Sequence, residues 1–186
     1  MHFLPKTYQT KSDYGVIIRE AHPDDAKQLL ELKLQYLKNT NTLPLFDYEY
    51  SNNITEENQL IKRYQKETNS LLLVAEHDGK LIGNIDLTGS SREKMVHTAM
   101  IGMGIHTSWQ NQGVGTFLIQ NVLDWSRKND TLKIIWLEVY ASNKAGIALY
   151  RKMNFQECGR IDSFFLEDKK YIDKITMSIN LREHSN

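Results

Sequence analysis

The sequence has little with which to form disulfides, to bind polyanions or to enter a membrane. Cys158 is the only cysteine, so no disulfide can form within the chain, as expected in a reducing compartment. The 23 basic and 23 acidic residues cancel, so no net charge attracts the chain to nucleic acid or to an anionic membrane. No apolar run approaches the roughly 18 residues that span a bilayer. Residues 1–12 lack the apolar core of a signal peptide, and we expect a cytoplasmic protein.

What the sequence does contain is typical of one soluble globular domain. Apolar residues make up 40% of the chain and charged residues 25%, and 186 residues suffice for a full hydrophobic core. Residues 1–14 are polar and show no periodic pattern, so we predict an N-terminal extension there and a single domain over residues 15–182. We find no internal repeat or domain linker in the sequence, and we predict no metal site.

The apolar pattern predicts a mixture of helices and strands. A short strand at Val16–Arg19 is followed by two helices, the second over residues 55–68. Three strands follow as an antiparallel meander, the first two joined by a hairpin turn at Asp78–Gly79. A helix, a strand, a helix and a final hairpin complete the order. Because a helix connects strand 96–105 to strand 132–140, these two strands are expected to be parallel, and the fold class is α+β.

The stretch from Met103 to Thr116 predicts a binding site for an anion. An apolar strand ends near Ile105, a polar loop carries the pattern Gln110-x-x-Gly113-x-Gly115, and a helix then begins. The first amides of a helix have no acceptor within it, and the helix dipole there favours negative charge. Glycines also let a phosphate approach the backbone closely. An ordinary tight turn explains the spacing equally well, and the pattern is neither a dinucleotide fingerprint nor a Walker loop.

The same loop resembles the Arg/Gln-x-x-Gly-x-Gly/Ala pyrophosphate loop of the GNAT superfamily of N-acetyltransferases. Residues 143–155, Asn-Lys-Ala-Gly-Ile-Ala-Leu-Tyr-Arg-Lys-Met-Asn-Phe, resemble the family's Asn-x-x-Ala-x-x-Leu-Tyr-x-Lys-x-Gly-Phe segment. Two motifs in this order, with a strand between them, are a strong signal. The resemblance covers residues 16–181 in pattern, and its specific part is residues 105–155.

The resemblance implies a fold, a cosubstrate and a set of binding residues. The fold is a mixed six- or seven-stranded sheet with about four helices, in which the two central parallel strands splay apart and admit the pantetheine arm. The cosubstrate is acetyl-CoA. The residues implied in binding it are Met103, Gly104, Ile105, Gln110, Gln112, Gly113, Val114, Gly115, Thr116 and Asn143.

Acetyl transfer to an amine requires a neutral amine, hydrogen-bond donors for the oxyanion, and a proton for the leaving thiolate. A phenol with a pKa of about 10 can protonate a thiolate whose thiol has a pKa of about 8.5. Tyr150 matches the family's tyrosine beside the CoA sulfur, and the resemblance implies that it is the general acid. Taken without the resemblance, Tyr150 is better explained as a packing aromatic.

The general base is where the sequence departs from the family. Many relatives carry a glutamate in the strand before the loop, and Met100, which cannot accept a proton, stands at that place. A chain of water molecules could carry the proton instead. The side-chain candidates are His97, Asp86, Glu138 and Glu76. A second departure is Asn154 in place of a glycine, although asparagine tolerates the left-handed backbone that the turn needs.

The acceptor amine is placed by the resemblance over the first two helices and the last hairpin. Tyr48 and Tyr50 lie there among Asp47 and Glu49, and aromatic and acidic groups together suit a cationic amine. Aromatics that pin a long loop to the domain explain the same pattern. We assign Tyr48, Tyr50 and Asp86 to the amine.

The function predicted on this basis is acetyl-CoA-dependent N-acetylation of a primary amine on a small molecule, peptide or protein. Two alternatives stay open. The first is a non-catalytic acyl-CoA-binding or regulatory module of the same fold, which the missing glutamate favours. The second is an α+β nucleotide-binding protein that binds phosphate at the helix N-terminus. A homodimer is compatible with each of these interpretations.

Overall fold

The structure is a computed structural model that describes residues 2–182. Over these residues the chain forms eight strands and four α-helices, with short 3-10 turns between some of them. The strands are β1 (Lys6–Gln9), β2 (Gly15–Glu20), β3 (Leu71–His77), β4 (Lys80–Gly89), β5 (Thr98–Ile105), β6 (Ile134–Tyr140), β7 (Gln156–Glu167) and β8 (Lys170–Asn180). The helices are α1 (Ala26–Lys38), α2 (Ile54–Lys66), α3 (Val114–Arg127) and α4 (Lys144–Lys152).

The strands form one mixed sheet in the order β1-β2-β3-β4-β5-β6-β8-β7. Neighbouring strands are antiparallel except β5 and β6, which are parallel. The predicted α+β class and the antiparallel meander of β3, β4 and β5 are confirmed. The predicted count of six or seven strands was too low, because β1 lies in the segment expected to be an extension. None of the helices within residues 2–182 combines the length and apolar character that crossing a membrane requires.

The two central parallel strands are paired over only part of their length. The ladder joins residues 98–100 of β5 to residues 134–136 of β6 and ends at the pair Met100 and Trp136. β5 continues to Ile105, and β6 continues to Tyr140 while staying paired with β8 on its other side. Beyond Met100 the two strands therefore separate, as predicted, and the second half of β5 borders an opening.

The sheet separates two layers of helices. α3 packs on one face, where Leu118 and Ile119 are fully buried. α1 and α2 pack on the other face, where Leu29 and Ile61 are fully buried. Successive residues of a strand point to opposite faces. The even-numbered residues of the second halves of β4 and β5 therefore face α1 and α2, and the odd-numbered ones face α3.

The segment expected to be a loose extension is part of the sheet. β1 pairs with β2, and Met1 lies outside the described residues. The ring of Tyr8 stacks on Phe117 in α3 with 4.5 Å between ring centroids, and its hydroxyl accepts a hydrogen bond of 2.8 Å from Asn121. After β1, the Lys11 amide donates to the Gln112 carbonyl at 3.2 Å. These contacts hold the hairpin of β1 and β2 against the beginning of α3.

Two strands begin later than the sequence predicts. β5 begins at Thr98 rather than at residue 96, because residues 93–95 form a 3-10 turn that Thr98 closes through a 2.9 Å hydrogen bond from its hydroxyl to the Met95 carbonyl. β6 begins at Ile134 rather than at residue 132, since the Leu132 amide donates to the Asn129 side chain at 3.2 Å. Both shifts lie within the usual uncertainty of element boundaries.

A buried ion pair joins α1 to α2. Lys33 Nζ lies 2.7 Å from Glu57 Oε1, and the two side chains are 9% and 3% exposed. The Tyr50 hydroxyl completes the group by donating to Glu57 Oε2 at 2.8 Å and accepting from Lys33 at 2.9 Å. Charges this well buried are tolerated only when they are paired, so the three residues fix how the two helices and the loop between them lie together.

We expect Lys33→Met to destabilise the protein by about 3–5 kcal/mol, because it leaves the Glu57 carboxylate buried without its cation. The double variant Lys33→Met/Glu57→Leu should recover most of that loss, since it removes both charges. Urea unfolding followed by circular dichroism measures both changes. An equal loss in the single and the double variant would show that packing, rather than the unpaired charge, causes the effect.

Candidate active site

The loop between β5 and α3 presents backbone amides at a helix N-terminus. Gly113 precedes the helix as its N-cap with a φ of 97°, in the left-handed region that glycine adopts without strain. The first hydrogen bond of the helix runs from the Phe117 amide to the Gly113 carbonyl at 3.1 Å. The amides of residues 114–116 therefore precede the hydrogen-bonded part of the helix, and such amides suit a phosphate.

The two glycines of this loop are required for different structural reasons. A Cβ on Gly115 would lie 3.0 Å from Leu149 Cδ2 and 3.2 Å from Ile105 Cδ1. Gly115 therefore lets α3 lie close to β5 and α4, whereas Gly113 supplies the positive φ of the turn. The side chains of Met103 and Ile105 pack against the core on the α3 face. Their backbone, like that of Gly104, borders the opening beside β6.

The loop is held from two sides. Gln110 Nε2 donates to the Ile105 carbonyl at 3.4 Å, which ties the loop back to its own strand. Gln112 accepts a hydrogen bond of 2.8 Å from the Ser12 hydroxyl, in addition to the bond from Lys11 to its carbonyl. The glutamine side chains are therefore engaged in shaping the loop. The contribution of Ser12 is one that sequence reasoning missed, because residues 1–14 carry no pattern that marks them as part of a site.

α4 lies close to this loop, because Leu149 packs near Gly115. Tyr150 follows Leu149 in α4, and Asn143 precedes the helix. Asn143 caps α4, with its side-chain oxygen accepting from the Gly146 amide at 2.9 Å. The Tyr150 ring packs edge-on against Phe155, and burial raises the pKa of its hydroxyl to about 12. A phenol with this pKa keeps its proton at neutral pH.

Asn154, which stands where the family has glycine, adopts a φ of 67° after α4. The left-handed turn that the sequence predicts at this position is therefore present, and asparagine is among the residues that tolerate it best. The turn directs Phe155 back under α4, where it is 2% exposed.

Asp86 lies on the other face of the sheet, toward α1 and α2. It pairs in register with Gly102 of the neighbouring strand, and a Cβ on Gly102 would come within 3.1 Å of its carboxylate. Burial raises the pKa of Asp86 to about 6, although the charge of Lys33 and a hydrogen bond from Thr88 act in the opposite direction. Two strand residues further along, a Cβ on Gly104 would overlap the ring of Tyr36.

The predicted acceptor residues do not form one cluster. Tyr50 belongs to the buried group with Lys33 and Glu57, whereas Tyr48 is 78% exposed and stacks on Phe46 with 5.2 Å between ring centroids. Between the loop and α1 lies an open cleft of about 500 Å³. Its lining residues are Glu31, Leu34, Gln35, Lys38, Asp47, Tyr48, Tyr50 and Asn52.

The four candidates for the general base have different surroundings in the structure. Glu76 lies 2.7 Å from Arg19, and Glu138 lies 2.7 Å from Lys174, so both carboxylates are neutralised by a cation. His97 precedes β5 at the paired end of the β5–β6 ladder, where its carbonyl accepts from the amide of Ile134. Asp86 is the candidate that combines a raised pKa with a place beside the glycines of β5.

Comparison with known proteins agrees with this geometry. Residues 28–155, more than half of the chain, match the model of the acetyltransferase (GNAT) family. The L-amino acid N-acetyltransferase AaaT of Escherichia coli is 26% identical over 57% of this chain and 65% of its own length. The N-alpha-acetyltransferase RimI of Mycobacterium tuberculosis is 33% identical over 46% of this chain and 51% of its own length. The chain thus spans less than two thirds of the length of these relatives.

Solved structures show the same fold. A GNAT-family acetyltransferase from Streptococcus pneumoniae superposes with a TM-score of 0.86 and 25% identity, covering 89% of this chain and 99% of that one. The yncA protein of Salmonella typhimurium, solved with acetyl-CoA, superposes with a TM-score of 0.81 and 19% identity, covering 92% of this chain and 96% of that one. The family resemblance of the loop and of residues 143–155 is therefore confirmed, and the chain belongs to the GNAT family of acetyltransferases.

Proposed function

We propose that the protein transfers an acetyl group from acetyl-CoA to a primary amine. The proposal rests on the separation of β5 from β6. The opening between these strands lies beside the free amides that begin α3. An extended pantetheine arm can pair with the backbone of β5 there while its pyrophosphate meets those amides. The proposal is supported by the names of the relatives, which are N-acetyltransferases, and by the acetyl-CoA in the yncA structure.

The residues proposed to hold acetyl-CoA fall into three groups. The amides of residues 114–116, with Gly113 before them, take the pyrophosphate. The backbone of residues 103–105 takes the pantetheine arm and supplies donors to the developing oxyanion. Gln110 and Gln112 keep the loop in shape, and Asn143 anchors α4 beside it.

Tyr150 is proposed as the general acid that protonates the leaving thiolate. Its hydroxyl keeps its proton at working pH, because burial raises its pKa to about 12. A thiolate whose thiol has a pKa of about 8.5 is a weaker base than the phenolate, so the transfer is unfavourable unless the phenolate regains a proton quickly. The role is therefore to supply the proton at the moment when the carbon–sulfur bond breaks.

The acceptor is proposed to be a cationic primary amine that enters through the open cleft beside α1. Tyr48, Asp47 and Glu31 give the cleft aromatic and acidic groups, which favour a cation. The names of AaaT, an L-amino acid N-acetyltransferase, and of RimI, an N-alpha-acetyltransferase, point to an α-amine, which is such a group. The cytoplasmic location and the homodimer stay predictions.

A thiol-release assay with acetyl-CoA tests the proposed function as a whole. The acceptor panel should contain amino acids, peptide N-termini, polyamines and aminoglycosides. We expect turnover with at least one class. A protein that binds acetyl-CoA by calorimetry and releases no thiol above the hydrolysis background with any acceptor would instead be the non-catalytic module of this fold.

Gly113→Val should reduce the affinity for acetyl-CoA at least tenfold. The added side chain both strains a residue with φ of 97° and covers the amides at the beginning of α3. Isothermal titration calorimetry measures the change.

The control for backbone strain is Gly79→Val. Gly79 has a similar φ of 73° in the turn between β3 and β4, and a Cβ there would meet nothing within 4 Å. We expect it to lower the melting temperature and leave the affinity for acetyl-CoA unchanged. If both variants lose affinity equally, general destabilisation explains the result and the loop assignment is wrong.

Tyr150→Phe should lower kcat by about 10²–10⁴-fold, the usual contribution of a positioned acid. The ring and its contact with Phe155 are kept, so the affinity for acetyl-CoA should stay within twofold of the parent. Steady-state kinetics and calorimetry measure the two quantities. A variant with the parent kcat would make Tyr150 a packing residue.

Tyr48→Ala should raise the KM for the acceptor and leave the KM for acetyl-CoA unchanged, because its exposed ring lines the acceptor cleft. Leu4→Ala is the control, since Leu4 is 77% exposed and is not among the residues that line the cleft. A rise in the KM for acetyl-CoA instead would assign the loop to the cosubstrate.

A further inference from the structure

Asp86 lies on β4, which β5 separates from the opening between β5 and β6, and it is on the face that α1 and α2 cover. Its register partner, Gly102, is two residues beyond Met100, where the β5–β6 ladder ends. The carboxylate is thus on the strand next to the segment of β5 that does not pair with β6.

β5 lies between Asp86 and the opening. Beyond Met100, β5 carries no side chain on the face that α1 and α2 cover. Both even-numbered residues there, Gly102 and Gly104, are glycines. A Cβ on Gly102 would come 3.1 Å from Asp86 Oδ1, and one on Gly104 would overlap the Tyr36 ring. The Asp86 carboxylate and the Tyr36 ring therefore lie directly against the β5 backbone beyond Met100, at the two positions where β5 has no side chain on this face.

The groups around Asp86 favour a cation at this point. α1 contributes Lys33 and Tyr36, the loop before α2 contributes Tyr50, and α2 contributes Arg63 and Tyr64. Lys33 is committed to Glu57 at 2.7 Å, and Arg63 lies 3.8 Å from Glu67. Thr88 bonds both Asp86 and the Tyr64 hydroxyl, the latter at 2.6 Å. The Asp86 carboxylate therefore has neutral donors around it, and the nearby cations are engaged with other carboxylates.

We propose that Asp86 is the general base: its carboxylate binds the ammonium group of the acceptor and takes a proton from it. The proposal rests on the proposed acetyltransferase function. A carboxylate at this place attracts the protonated amine, which is the form that dominates at neutral pH. It then removes the proton that prevents attack.

The proposed transfer converts an ammonium group and a thioester to an amide and a thiol. The ammonium group gives one proton to Asp86, and the nitrogen lone pair forms a bond to the thioester carbonyl carbon. The carbon–sulfur bond breaks, its electron pair leaves on sulfur, and Tyr150 gives its proton to that sulfur. A second proton from the nitrogen restores Tyr150 through solvent, and Asp86 releases its proton to solvent. The products are the amide, the free thiol and one proton.

The raised pKa of Asp86, about 6, supports this role. A base is most effective when its pKa lies near the working pH, and an ordinary aspartate with a pKa of about 4 is too weak. Because the base must be ionised to accept a proton, kcat/KM for the acceptor should fall tenfold per pH unit as the pH drops below about 6.

The test is the pH profile of Asp86→Asn. Asparagine keeps the size and loses the basic oxygen, so kcat/KM at pH 7.5 should fall about 10²–10⁴-fold. The acid limb near pH 6 should disappear with it. Asp124→Asn, a substitution of the same kind on the far side of the sheet, should keep both the rate and the limb. Calorimetry should show the parent affinity for acetyl-CoA in both variants.

A readout that needs no turnover is the titration of the carboxyl itself. Carbon-13 NMR of protein labelled at the aspartate carboxyls should show one resonance that titrates near pH 6 and is absent from Asp86→Asn. If Asp86→Asn does not fold, Gly102→Ala serves instead, because its methyl group would lie 3.1 Å from Asp86 Oδ1. It should lower kcat and preserve acetyl-CoA binding.

Two results would overturn the proposal while leaving the acetyltransferase function intact. One is a folded Asp86→Asn or Gly102→Ala variant with the parent kcat/KM. The other is an Asp86→Asn variant that is slow but keeps the acid limb, which would make Asp86 a structural residue. A parent protein that binds acetyl-CoA and turns over no amine would overturn the function and the base assignment together.

Discussion

The rest of the structure depends on one constraint, which is that β5 does not pair with β6 beyond Met100. Backbone N–H and C=O groups inside a protein are almost always paired, and a strand that leaves its neighbour after three residue pairs exposes groups that require another partner. An extended amide-containing chain, such as a pantetheine arm, satisfies them in the manner of an added strand. β6 keeps its order because β8 pairs along its whole length. The opening can therefore persist without unravelling the sheet.

The two faces of the sheet have different chemistry, and the opening connects them. The α3 face is apolar and holds the loop whose amides begin the helix. The α1 and α2 face contains the ion pair of Lys33 and Glu57, three tyrosines and Asp86. Under the proposed function, a cosubstrate that binds along one side and an acceptor that arrives from the other meet where β5 is free. The sheet topology would then set the position of the chemistry.

The sequence predicted the parts of the fold whose signals are local. The alternation in the strands, the Asp78–Gly79 turn and the loop before α3 each depend on neighbouring residues, and the structure contains all of them. The separation of the parallel strands came from the family resemblance alone. β1 was not predicted, because a strand of four mostly exposed residues has no apolar periodicity to detect.

The group of residues around Asp86 was harder to predict, because its members come together from distant parts of the chain. Tyr36 and Tyr64 look like ordinary apolar residues of amphipathic helices until tertiary packing places them around Asp86. A local signal did exist in Gly102 and Gly104, two glycines on one face of a strand, which indicate that something approaches the backbone closely. The raised pKa of Asp86 could not be predicted, since it depends on burial by both helices.

The contact of Ser12 with Gln112 spans 100 positions of the sequence. The loop before α3 is thus tied to a segment that leaves the ribosome long before the loop itself is made. The contact joins two distant parts of the chain, and the entropic cost of bringing such parts together rises with their separation. An affinity tag fused close to β1 lies next to a segment that contacts the loop proposed to bind acetyl-CoA, so kinetic constants should be compared between proteins that carry the tag at opposite ends.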